Sequence, residues 1–450
     1  MTSQVDEDSP WPGLGAFDEA AQRFFNGRRK EAAELRRLVQ YAPLTVVFGA
    51  SGLGKTSLLQ AGLFPLLRKE NVLPLYVRLD VRDRSAPLID QVKNAMLTQF
   101  NTQHVEAPAF DQAESLWEWL HRDGLELWSQ RNQLLVPVFV FDQFEEVFTL
   151  GAENGAAISR LQIDLSDLIE NRIPADVASR IEANEAADSN LALGSHRYKV
   201  LVSFREDFLP SVEGWKRSLP SIMRNRLRLL PMSTEQAFEA VHMTAPQLAD
   251  EKIANEIVRF VAAAQEDRAP ESAGGAGPTD LAVEPALLSL VCHGLNERRK
   301  AQGKSAFDSA LLQGTGQAIV ADYYQNAVRE LPDRVQRFIE NELITERGFR
   351  KQCDVDDARS LHGMTNEELS RLVDRRLLRI EPYRRTERVE LTHDLLTRVV
   401  REHRDRQREM ERVRSRKKRL AILSGAIFAV VATAFLSLSK YTYEDRKSVV

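Results

Sequence analysis

Cysteine is nearly absent: Cys292 and Cys353 are the only two in 450 residues, and neither has metal-ligand spacing around it. That excludes a disulfide framework and favours a reducing compartment. An apolar leader is also missing, because the opening MTSQVDEDSPWPG is acidic and polar and so is not a secretory signal. An excess of one charge sign is also lacking: 61 Lys and Arg against 65 Asp and Glu leave −4, which singles out no partner. No internal repeat is visible. What is there, 43% hydrophobic and 28% charged residues, belongs to a folded globular chain rather than a disordered one. The length suits two or three domains of roughly 100–200 residues each.

The near-balance of charge hides one uneven stretch. Between Arg401 and Arg419 ten Lys or Arg face four Asp or Glu, a surplus of six. A helix there is charged all round, buries no face, and reads as a solvated stalk. The next twenty residues, Leu420–Ser439, carry no charge. As a helix they would span roughly 30 Å, the hydrocarbon thickness of a bilayer. A basic run, Arg412–Arg419, lies directly before them, and the positive-inside rule then predicts residues 1–419 in the cytoplasm. The expectation is a single-pass anchor in the inner membrane, with 440–450 as a short tail. Ala421, Gly425 and Ala429 form a small-residue stripe suited to close helix packing.

Upstream, short apolar runs alternate with helical patterns. A helix is expected from Arg28 to Val39, ended by Pro43. Strands are expected at Leu44–Phe48, Val72–Leu79, Leu134–Phe141, Lys199–Phe204 and Leu227–Pro231. Each is short enough to be buried on both faces, which implies a parallel sheet covered by helices, an α/β fold. Residues 262–280 read as a Gly/Pro-rich loop within a helical region from 235 to 325. Thr365–Glu368 is a capping box opening a helix to Arg376. Two short strands around Arg384–Thr386 and a further helix suggest a winged-helix unit over 326–400. The predicted units are an arm (1–24), a core (25–234), a helical lid (235–325), the winged helix, a basic helix (401–419) and the membrane segment.

Gly49-Ala50-Ser51-Gly52-Leu53-Gly54-Lys55-Thr56, followed by Ser57, matches G-x-x-x-x-G-K-[ST]. Glycines let successive N–H groups converge on phosphate oxygens. Lys55 adds a positive charge there, and the Thr56 hydroxyl suits Mg²⁺. A chance Gly-rich turn would lack the strand before and the helix after. Leu134–Phe141 ends in Asp142, Glu145 and Glu146, acids placed to serve a metal and an attacking water. Asp142 is assigned to magnesium and Glu145 to the water. Glu146 is a rival for the second role, since only geometry decides which acid faces the site. Arg205, after the strand at 199–204, could sense a γ-phosphate or simply pair with Asp207. His393-Asp394, taken alone, reads as a structural pair.

In this order the features resemble the STAND family of signal-transduction ATPases, in its bacterial "novel STAND" branch, from Pro12 to His403. Pro12–Phe17 with Phe24-Phe-Asn-Gly27-Arg28 is similar to the family's opening motif, which packs near the adenine. Val140–Glu146 resembles its Walker B, and Ser203–Phe208 its sensor strand. Val283–Leu288 resembles the lid motif whose proline, here Pro285, lies against the nucleotide. Leu391–Asp394 resembles the motif whose histidine, here His393, contacts the β-phosphate of ADP. The resemblance implies an ASCE-type P-loop NTPase core followed by lid and winged helix, with ATP or ADP and Mg²⁺ as ligands. It also implies a switch for defence or signalling that homo-oligomerises when ATP replaces ADP. About two dozen residues precede the core and eleven follow the apolar segment, too few for an effector or a sensor array. Sensing and output are then expected from partners in trans, from a longer chain, or from clustering of the membrane helix itself. Two other readings compete: a nucleic-acid-handling ATPase using the winged helix, and a nucleotide-dependent scaffold with negligible hydrolysis. The uncharged segment argues against nucleic acid as a partner.

Overall fold

The protein is described by a computed structural model covering residues 5–80, 87–110, 114–149, 155–183, 190–266, 282–312, 323–346, 350–375, 377–383, 386–392, 396–397 and 399–410. Five strands form one sheet: β1 (Leu44–Gly49), β2 (Val72–Val77), β3 (Val136–Phe141), β4 (Lys199–Arg205) and β5 (Arg226–Arg228). All pairings are parallel, in the order β2-β3-β4-β1-β5. The expected α/β core is therefore present. Every residue of β1 is buried, as a strand covered on both faces requires. Its side chains alternate: Leu44, Val46 and Phe48 join the cluster beneath helices Leu88–Gln103 and Gly155–Ile169. Val47 points the other way, onto Leu35, Leu58 and Leu63.

The strand order matters for the site. β4 lies between β1 and β3, with Gly49 in register with Arg205. The loop after β1 and the acids after β3 thus share one carboxyl edge, with Arg205 between them.

Helices Thr234–His242, Glu251–Glu266, Pro285–Ala301 and Ser309–Leu312 follow the sheet. Beyond them lie helices Asp333–Glu342, Val355–Ser360 and Asn366–Asp374, with β6 (Cys353–Asp354), β7 (Leu378–Tyr383) and β8 (Thr386–Leu391). These strands make an antiparallel sheet ordered β6-β8-β7. The capping box is formed: Thr365 accepts from Glu368 N, and Glu368 accepts from Thr365 N. The helical segment and this C-terminal unit share one hydrophobic cluster, running from Met232 through Leu288 and Phe338 to Val400.

Besides strand ends, with β3 starting at Val136 and β5 running Arg226–Arg228, four details depart from the sequence reading. The helix after the phosphate loop holds a π-helical stretch, Leu58–Leu63. The residues read as a loop from 262 begin as helix, which runs on to Glu266 with Ala262 fully buried. The charged helix is not solvated all round: Arg404 is 4% exposed. Its guanidinium donates to the carbonyls of Glu340, Thr345 and Glu346, just where helix Asp333–Glu342 leaves carbonyls without intrahelical partners. The arm is irregular, as expected, but anchored. Trp11 stacks on Phe307 at 5.7 Å and donates to Ala240 O, while Asp8 pairs with Arg299 and Lys300.

Segments 420–439 and 440–450 and residues 411–419 lie outside the described residues. Among those described, no helix is long and apolar enough to cross a membrane.

Candidate nucleotide site

Past β1 the chain turns through Ser51-Gly52-Leu53 to Gly54, which caps the helix from Lys55 with φ +82°, a left-handed value that costs glycine nothing. The helix N-terminus then points its N–H groups and positive dipole end at the loop's centre. Lys55 Nζ donates to Gly49 O (2.9 Å) and Ala50 O (3.0 Å) across that loop. Burial holds its ammonium below the ordinary lysine value, while Glu145 and Asp142 act the other way.

Asp142 is 3% exposed. Its Oδ2 accepts from Thr56 Oγ1 at 2.7 Å and from the Tyr76 hydroxyl at 3.0 Å. The two residues assigned to magnesium are therefore in direct contact. Hydroxyl and carboxylate are the oxygen donors Mg²⁺ takes, one or two from protein with the rest from phosphate and water. Among the described residues no group of three His, Cys, Asp or Glu could enclose a metal without such help. The donor set fits Mg²⁺ shared with a polyphosphate. Tyr76 was not foreseen, since a tyrosine in mid-strand carries no such signal. Burial pushes its phenol above the ordinary value.

Geometry separates the two glutamates. Glu145 is 8% exposed and accepts from the backbone N of Arg205 at 3.2 Å. Burial pushes its carboxyl up to about 7, against the pull of Lys55 and Arg205. Glu146 instead pairs with Arg78 at 2.8 Å. Arg205 does form the ion pair with Asp207, through Nε (3.0 Å) and a terminal nitrogen (2.8 Å). It also lines the same cleft as Lys55.

That cleft, about 590 Å³, is lined from four directions. The sheet edge supplies Ser51 to Ser57, Asp142 and both glutamates; the arm supplies Leu14 and Phe17. Helix Pro285–Ala301 supplies Pro285 and Ser289, and β7 supplies Arg379 and Ile380. Phe17 N donates to Ser57 Oγ, which fixes the arm against the phosphate-loop helix. Pro285 opens its helix, where a missing N–H costs nothing. Arg28 also lines the cleft; it is 3% exposed, pairs with Glu31 (2.6 Å) and donates to Leu230 O (2.6 Å). Gly27, Gly49 and Ala50 are not among its lining residues. A Cβ on Gly27 (φ +82°) would meet Gln236 O at 2.3 Å, so glycine there permits helix Thr234–His242 to close on the core. His393 lies outside the described residues. Ser289, Arg78 and Arg379 join the cleft without having been singled out in the sequence.

Several solved structures are similar to most of the chain at low scores. Cdc6p from Pyrobaculum aerophilum is 13% identical, with 84% of this chain and 94% of that one covered and a TM-score of 0.39. The ORC2 protein of Aeropyrum pernix, in ADPNP-ADP complexes, gives 15%, 85%, 95% and 0.41. The ORC1 protein of Aeropyrum pernix in complex with DNA gives 12%, 84%, 93% and 0.42. Scores this low decide nothing about what this chain does. No curated protein matches. Sequence is more specific: the family described as Novel STAND NTPase 1 matches residues 10–422, and the chain belongs to it.

Proposed function

We propose that the chain is a membrane-anchored regulatory ATPase that binds ATP or ADP with Mg²⁺ and works as an oligomerising signalling switch. The observation that carries this reading is the shared lining of one cleft. Sheet edge, arm, helix Pro285–Ala301 and the β7 strand of the C-terminal unit all face it. An occupant that touches all four stabilises their closed arrangement. A ligand shifts such an equilibrium only by its difference in affinity for the two states, and contacts from separate units supply one.

Within the site each residue has a task. The backbone of Gly49 to Lys55 cradles the β- and γ-phosphates, and Lys55 exchanges its carbonyl partners for phosphate oxygens. Thr56 and Asp142 hold Mg²⁺, which when bound neutralises charge on those oxygens. Glu145, a carboxyl poised near neutral pH, orients a water and takes its proton as the water oxygen bonds to the γ-phosphorus and the bond to the β–γ bridging oxygen breaks. Glu146 holds Arg78. Pro285 and Phe17 flank the nucleoside end. In this reading the helical segment is the lid, the C-terminal unit is the winged helix, and His393 joins the closed ADP form. Leu420–Ser439 anchors the chain in the inner membrane with the ATPase in the cytoplasm.

The test is to purify the chain in detergent, extract and identify its nucleotide, and compare oligomeric state with ADP and with ATP for wild type and Lys55→Ala. Bound adenine nucleotide and larger assemblies with ATP, both lost in Lys55→Ala, are the expected result. Assembly indifferent to nucleotide refutes the switch. Salt-sensitive binding to mixed DNA would favour a nucleic-acid-handling ATPase instead.

A further inference from the structure

The sheet edge already brings Lys55 and Arg205 to the cleft, yet a cation also reaches it from the C-terminal unit. Arg379, on β7, lines the cleft beside Ile380. β7 packs against the short helix Glu146–Thr149, which begins directly after Glu145. Arg379 therefore enters from the side of the acids, not from the side of the phosphate loop.

Its guanidinium is held within the hairpin. Arg379 and Glu390 are cross-strand partners in the hairpin, and Arg379 Nε donates to Glu390 Oε1 at 2.6 Å. The Glu390 side chain is only 5% exposed. Its second oxygen takes Gln352 Nε2 at 3.3 Å and lies 3.7 Å from Arg350 Nε. Held from three sides, this carboxylate fixes the arginine, whose Nε and one terminal nitrogen both engage Oε1 at the edge of the cleft.

We infer that Arg379 is a phosphate-binding residue of the cleft, contributed by the C-terminal unit, with Glu390 as its positioning residue. The inference rests on the nucleotide reading above. The ligand chemistry is the polyphosphate of a nucleoside di- or triphosphate, whose oxygens suit the planar fork of a guanidinium. Its consequence is regulatory: a phosphate held by Lys55 from the core and by Arg379 from β7 ties the two units together. When Arg379 is lost, ADP dissociates faster and the units part more readily.

The experiment measures Mg-ADP and adenosine affinity, and the ADP release rate, on the full chain in detergent. The proteins are wild type, Arg379→Gln, Arg379→Lys, the double variant Arg379→Gln/Glu390→Gln, and Lys55→Ala. Arg379→Gln should weaken ADP about tenfold, the scale of one hydrogen bond between charged partners, and speed its release. Adenosine affinity should not change, and Arg379→Lys should recover part of the loss. The double variant, which leaves no uncompensated buried carboxylate, should show the same loss as Arg379→Gln. ADP affinity within twofold of wild type in Arg379→Gln, or a return to wild type in the double variant, overturns the inference. Failure of the nucleotide reading looks different: wild type would then bind no ADP, or Lys55→Ala would bind it equally well.

Discussion

Replacing Glu145 by glutamine keeps its shape and removes its titration. Burial lifts this carboxyl from 4.5 to about 7 in the folded protein. Between those values the folded state holds a proton that the unfolded chain has released, so stability falls as pH rises through the window. The stabilising contribution of the neutral acid is complete below pH 4.5 and fully lost above pH 7. The whole gap is worth about 3 kcal/mol, at 1.36 kcal/mol for each tenfold step. Some of it is already lost at pH 5. Glu145→Gln should therefore gain roughly 2–3 kcal/mol on wild type between pH 5 and pH 8, all other titrations cancelling in the comparison. The assay is urea unfolding of the nucleotide-free proteins at several pH values, followed by tryptophan fluorescence. Four of the five tryptophans, all but Trp11, lie between 117 and 215 and report on the core that carries Glu145. A difference that stays constant from pH 5 to pH 8 refutes the burial argument. With Mg-ATP the same substitution should leave binding intact and lower hydrolysis by about 10²-fold or more, the usual contribution of a general base.

Two further outcomes follow from the packing and a third from the uncharged segment. Gly27→Ala forces a Cβ onto Gln236 O at a left-handed φ and should cost more than the about 1–3 kcal/mol of backbone strain alone. Gly124→Ala, at φ +69° with nothing within 4 Å, should show the strain and no clash; thermal melting compares the two. Trp11→Ala removes the stack on Phe307 and the bond to Ala240 O, and urea titration should show a loss of about 3–5 kcal/mol with early cleavage of the arm by protease. The full chain should sediment with membranes and resist carbonate extraction, and deletion of 420–439 should release it; a chain that stays on membranes after that deletion refutes the anchor.

Much of the core was legible because its signals are local. β1, β3 and β4 are short, mostly apolar runs, and the phosphate loop follows the first of them directly. Strand ends were the weaker part: Leu134 and Leu135 read as strand, yet β3 starts at Val136 and Leu134 is 44% exposed. What escaped depends on residues far apart in sequence. The different partners of the two glutamates lie far off: the backbone N of Arg205, sixty positions from Glu145, and the side chain of Arg78 on Glu146. The buried Arg404 looked like one more solvated charge, because its partners are main-chain carbonyls at and just beyond the end of another helix. The π-helical turn at Leu58–Leu63 shows no altered apolar spacing. At its Gly62 an added Cβ would meet Phe25 at 3.0 Å, a crowding set by the opening segment. Tyr76 and Arg379 sit on strands whose alternation announces only which face they occupy.

The central claim is that a nucleoside polyphosphate occupies the loop between β1 and its helix, and Mg-dependent ATP binding by the detergent-purified chain tests it most directly. The account predicts saturable binding to wild type that requires the Lys55 ammonium and weakens when Mg²⁺ is chelated. Folded wild-type protein with no measurable affinity for ATP or ADP in the presence of Mg²⁺ would contradict it.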